Sequence, residues 1–78
     1  MKDTLSRSPL ASSDLTSAGY DPETQRLEVE FKKGTKLYSY HGVPPEVYQG
    51  LMTAVSPGKY FYANIKGKYA YTSWEMNS

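Results

Sequence analysis

Residues 26–32, Arg-Leu-Glu-Val-Glu-Phe-Lys, alternate polar and apolar without a fault. Leu27, Val29 and Phe31 fall on one face, and Glu28, Glu30 and Lys32 on the other. That period of two is the mark of a half-buried antiparallel strand, and it predicts that the two glutamates face solvent. Upstream, residues 15–20, Leu-Thr-Ser-Ala-Gly-Tyr, predict a strand with a weaker pattern. Asp21-Pro22-Glu23-Thr24 joins the two as a turn, because Pro22 presets the backbone angle and Asp21 can accept a hydrogen bond from the backbone ahead. Lys33-Gly34 predicts a hairpin, with Gly34 supplying a positive φ. The third strand is expected over 35–41, where Tyr38 and Tyr40 point the same way.

The period then changes. Pro44-Pro45 can open a helix, whose first turn needs no amide donors. Val47 and Leu51, like Tyr48 and Met52, are spaced by four and form an apolar stripe. Gly50 interrupts that helix at a cost of about 1 kcal/mol relative to alanine, so a close packing contact is expected there. Ser56-Pro57 predicts a second helix, with serine as the cap and proline in the first helical position. Phe61 and Ile65 fall one turn apart, and Gly67 is a natural stop. Residues 68–74 alternate aromatic and small side chains, as an extended arm or a short edge strand would.

The prediction is an α+β fold in the order β-β-β-α-α, a three-stranded antiparallel sheet followed by two short helices packed on one face. Residues 1–13 are serine-rich and show no periodicity, and read as a disordered N-terminal tail. Residues 14–74 form the single domain, and 75–78 a C-terminal tail. The chain has 78 residues, and a domain of this size buries only about 60% of its unfolded surface.

Composition narrows the chemistry. Cysteine is absent, so disulfides and thiolate metal sites are excluded, and His41 is the single histidine. No metal or cofactor is expected. No apolar stretch nears the roughly 20 residues of a membrane-spanning helix, and the N-terminus lacks the apolar core of a secretory signal. A cytoplasmic location without membrane contact is the expectation. Nucleophilic catalysis needs a base and an orienting group beside an activated nucleophile, and His41 stands alone at a strand end. A hydrogen-bonded residue before the Gly42 turn fits it better than a general base. Paired acids such as Glu28 and Glu30 can share a proton, but on an alternating strand they read as a solvated face. The chain is expected not to be an enzyme.

The net charge of +1 hides a polarity. Residues 1–31 hold three basic and six acidic groups, a balance of −3, whereas 32–78 hold six lysines and two glutamates, a balance of +4. Seven of the eight tyrosines fall in the same half. Between 57 and 74 there are three lysines and no acid. Lysines neutralise phosphates, and aromatic faces stack on unpaired bases at about 1–3 kcal/mol each. Lys59, Tyr62, Lys66, Lys68, Tyr69, Tyr71 and Trp74 are therefore the candidate nucleic-acid-binding residues. Phe61, Ile65, Tyr38 and Tyr40 are assigned to the core. Tyrosine also closes small cores well, so the same rings serve either purpose.

Tyr38-Ser39-Tyr40 followed by Gly42-Val43-Pro44 and Val47-Tyr48 resembles the central segment of the KTSC domain family. Ser56-x-Gly58-Lys59-Tyr60-Phe61, Ile65-Lys66 and Tyr69-x-Tyr71 are similar to its C-terminal pattern, and Gly19-Tyr20-Asp21 to its opening. The likeness covers about residues 12–72. Tyr62 stands where the family usually has asparagine, and Ala70 where proline is common. The family is named for the C-terminus of some lysyl-tRNA synthetases and also occurs as small bacterial and phage proteins. The resemblance implies the fold and carries a suggestion of RNA binding, with tRNA-like or single-stranded RNA as the partner. The other expectation is a protein-interaction module, a phage or bacterial accessory factor using exposed tyrosines or a sheet edge.

Overall fold

The computed structural model describes residues 7–10, 12 and 14–75. Strands β1 (Ser8–Pro9), β2 (Leu15–Asp21), β3 (Arg26–Phe31), β4 (Lys36–Tyr40) and β5 (Tyr71–Glu75) form one antiparallel sheet in the order β1-β2-β3-β4-β5. Helices α1 (Pro45–Thr53) and α2 (Pro57–Asn64) lie between β4 and β5 in sequence. The α+β class stands, but the sheet has five strands rather than three. The two added strands lie outside the β-β-β-α-α order. Ser8–Pro9 is too short for any period, whereas Tyr71–Glu75 falls largely in the segment read as an extended arm or a short edge strand, and is the edge strand, pairing with β4 after the chain has returned from both helices. Of the tail expected over 1–13, residues 1–6, 11 and 13 lie outside the described residues; within the rest, β1 pairs with β2 and Leu10 packs against the core. Glu75, expected in the C-terminal tail, ends β5, and 76–78 lie outside the described residues.

The β2–β3 turn forms as its residues predict, with the Glu23 amide donating to Asp21 Oδ1 at 3.0 Å. The weak pattern of β2 has a cause. Its register with β3 shifts between Leu15 and Ser17, so one extra residue bulges out and resets the alternation. Leu15 and Ala18, three apart, thereby both enter the core, together with Leu27, Val29, Tyr40, Val43, Leu51, Phe61 and Ile65. Both helices begin with proline, and Ser56 occupies the N-cap position of α2 without a side-chain capping bond. The Ile65 and Lys66 amides both donate to the Phe61 carbonyl, and Gly67 at φ 78° turns the chain away. Gly50 does meet a close contact: it lies against the Tyr60 ring, which ties α1 to α2.

The other face of the sheet is not the solvated surface that alternation predicts. Glu28 is fully buried there. Arg7 Nη1 lies 3.4 Å from its Oε1, and Arg26 Nη2 3.3 Å from its Oε2. Ser17 Oγ donates to Glu30 Oε1 at 2.9 Å and accepts from Arg7 Nε at 3.1 Å. A buried carboxylate is tolerated only when its charge is compensated. Arg7, delivered by the segment that forms β1, covers this one.

Candidate functional site

The helix face is open at one end. Beside the β3–β4 hairpin and the end of α2 lies a cleft of about 580 Å³. Its walls carry the rings of Phe31, Tyr38, Tyr40, Phe61, Tyr62 and Tyr71, and its rim Lys33, Lys36, Lys66, Asp14 and Glu75. The rings form a continuous network. Phe61 meets Phe31, Tyr40 and Tyr62 edge-to-face at 5.3, 5.4 and 5.5 Å between centroids. Tyr71 leans on Tyr40 at 5.2 Å and on Tyr38 at 5.6 Å. The cleft grades from wet to dry: Tyr62 and Tyr71 are 48% and 54% exposed, whereas Tyr40 is 4% and Phe61 0% exposed.

Two strands and a helix place these groups. Tyr71 is the register partner of Tyr40, and Tyr40 of Leu27, so the three side chains line up across one face. Lys36 and Glu75 are register partners at the far end of the same strand pair, and Thr35 Oγ1 donates to the Glu75 carboxylate. Lys66 follows α2 and holds its ammonium 5.0 Å from the centre of the Tyr62 ring, a cation–π contact. Burial pushes the Tyr40 phenol up to about 12, and the neighbouring phenols of Tyr71, Tyr38 and Tyr62 add to the effect. Tyr40 therefore stays a neutral O–H donor at physiological pH.

Of the residues expected from sequence, the structure brings Tyr62, Lys66 and Tyr71 together in this cleft. Lys59 is exposed on α2 and Lys68 on the turn after it, both outside the cleft lining. Tyr69 is half-buried against the core. Trp74 is the register partner of Leu37 and lies on the opposite face of the sheet, because side chains three apart on a strand point to opposite sides. Sequence reasoning did not place Lys33, Lys36, Asp14 or Glu75 at a site, and assigned Tyr38, Tyr40 and Phe61 to the core alone. The available signal was the alternation that puts Phe31 on the face of Leu27 and Val29 and puts Tyr38 with Tyr40; the register Leu27 to Tyr40 and Val29 to Tyr38 joins the two sets. His41 is exposed, with Nε2 3.3 Å from Thr72 Oγ1. Among the described residues no group of three or more His, Cys, Asp or Glu side chains is placed to hold a metal ion. No helix among them is long and apolar enough to cross a membrane.

The fold and cleft define a small α+β domain that uses one sheet face both as core and as an open aromatic surface. The KTSC domain family matches residues 11–69, and the chain belongs to it. A KTSC domain protein from Yersinia pestis, known from its crystal structure, superposes with a TM-score of 0.83 at 40% identity, over 91% of this chain and 99% of that one. An uncharacterized protein of Stutzerimonas stutzeri is 48% identical over 73 residues, 94% of this chain and the whole of that protein. A lysine–tRNA ligase of Nostoc sp. is 44% identical over 52 residues, 67% of this chain and 9% of the ligase.

Proposed function

We propose that this domain is a non-enzymatic RNA-binding module whose binding surface is the cleft between the β3–β4 hairpin, β5 and the end of α2. The observation that carries the reading is the joining of solvent-exposed rings, Tyr62 and Tyr71, to three rim lysines, Lys33, Lys36 and Lys66. Unpaired RNA bases stack on aromatic side chains, and ammonium groups beside them meet the flanking phosphates. The likeness to a segment of proteins named lysine–tRNA ligases supports RNA as the partner. Asp14 and Glu75 offset part of the charge, so affinity is modest and sensitive to salt. Three phosphate contacts give a slope of about −2 in log K against log salt on single strands.

The test is a titration against tRNA and short single-stranded RNA at low salt. Binding should weaken with added salt, fall when Lys36 and Lys66 are changed to glutamate, and fall with Tyr71→Ala. Lys59→Glu, Lys68→Glu and Trp74→Ala, which lie outside the cleft, should leave it within about twofold, since remote exposed charges are screened. Salt-insensitive binding, or equal losses from both sets, sinks the reading.

One observation favours a protein partner instead. The edge β1 is two residues long and contains Pro9, whereas the edge β5 runs five residues without proline or lysine. An unguarded edge of that kind accepts an added strand. Amide shifts confined to β5 and indifferent to salt would mark that use.

A further inference from the structure

We propose that the cleft takes one unpaired base of an RNA strand edge-first, and that the Tyr40 hydroxyl is the group that meets that edge. This rests on the RNA-binding reading and narrows it from a surface to a pocket. Tyr40 is 4% exposed, yet it lines the cleft and its ring is fixed between Phe61 and Tyr71. The half-buried Tyr20 spends its hydroxyl on the Val43 carbonyl. The Tyr40 hydroxyl makes no such bond to a described residue and is not among the fully buried side-chain atoms without a partner, so with its ring packed it opens on the cleft. The cleft therefore presents a phenol donor at the base of an aromatic wall.

A ligand that fits must be flat and apolar on its faces, carry hydrogen-bond acceptors on its rim, and have an anion attached outside. The cleft of about 580 Å³ is within the range that holds a small organic group. A nucleobase has those properties: π-faces for the exposed Tyr62 and Tyr71 rings, and carbonyl oxygens or ring nitrogens for a phenol donor. The Tyr40 phenol remains protonated far above neutral pH, which makes it a constant donor. Lys33, Lys36 and Lys66 stand at the rim, where the phosphates on either side of an inserted base pass.

The experiment is a cycle between one side chain and one ligand feature. A short fluorescent oligouridine and a ribose-phosphate strand of the same length without bases are titrated at low salt against the natural protein and Tyr40→Phe. Phenylalanine keeps the ring and its packing, and circular dichroism checks that the fold is unchanged. The natural protein should bind oligouridine about tenfold more tightly than the abasic strand. Tyr40→Phe should lose about threefold to tenfold on oligouridine and nothing on the abasic strand. Equal losses on both strands, or none on either, overturn the pocket while leaving the RNA-binding reading standing. Absence of salt-dependent binding to either strand overturns both.

Discussion

Gly50 lies inside α1, where glycine is less favourable than alanine by about 1 kcal/mol, so Gly50→Ala would stabilise an isolated helix. In the folded protein it should do the opposite. A Cβ at residue 50 would sit 2.1 Å from Tyr60 Oη, 2.5 Å from Cζ and 2.8 Å from Cε2. Ordinary contacts begin near about 3.5 Å, so the ring has to withdraw by about an ångström or more. Tyr60 packs against the core cluster, and displacing a packed group costs about 1–3 kcal/mol. Taking about 2 kcal/mol for the clash and about 1 for the helix gain leaves a net loss of about 1 kcal/mol. For a domain this small that lowers Tm by about 4–8 °C. The decisive measurement repeats the change in Tyr60→Leu, which lacks the three contacting atoms. There Gly50→Ala should stabilise by up to about 1 kcal/mol, a reversal of sign. Urea unfolding followed by circular dichroism reads both. Stabilisation in the natural background, or the same effect in the two, would refute the claim that Gly50 is there for the ring. The contact bears on the site because α2, which Tyr60 holds against α1, carries Phe61, Tyr62 and the approach to Lys66.

The Tyr40 phenol makes stability depend on alkaline pH. Its folded value is raised to about 12 by burial first and by neighbouring phenols second, so the folded state holds this proton more tightly than the unfolded chain does. The stabilisation is fully present below about pH 10, the unfolded value, and is lost on rising to about 12. Urea midpoints measured across that range should fall more steeply for the natural protein than for Tyr40→Phe; parallel curves would refute it. Arg7→Ala removes one of the guanidinium groups beside the buried Glu28 and the bond to Ser17. A loss of about 2 kcal/mol is expected, with faster hydrogen exchange at the Leu10 amide, which bonds the Thr16 carbonyl. Unchanged exchange there would show that Arg7 does not anchor the N-terminal strand.

The strands that alternate cleanly, β3 above all, were legible because their own side chains declare the face. Three features were not, each for a physical reason. The bulge in β2 shifts parity within the strand, so Leu15 and Ala18 read as opposed when they are neighbours in the core. Glu28 obeys the alternation but not its usual meaning, since the charge that compensates it comes from Arg26 on its own strand together with Arg7, twenty-one positions away. Trp74 entered the candidate site through its nearness in sequence to Tyr71, and pairing β5 with β4 sends the two to opposite faces.

The cleft itself follows from lengths. An eight-residue helix such as α2 is about 12 Å long, whereas the six residues of β3 extend about 20 Å. Two short helices therefore cannot roof the whole sheet face, and the uncovered end must be lined by side chains that tolerate both a core and water. Tyrosine meets that condition, with an apolar ring to pack and a hydroxyl to face the opening. Tyr38 and Tyr40 then belong to the core by ring and to the cleft by hydroxyl, so the choice between filler and binding surface was never one that composition could decide. What decides it is whether the hydroxyls find partners inside the chain. Tyr20 spends its hydroxyl on the Val43 carbonyl, whereas that of Tyr40 opens on the cleft, and on the reading proposed above the unroofed end of the sheet, rather than the lysine-rich segment as a whole, is where a ligand would sit.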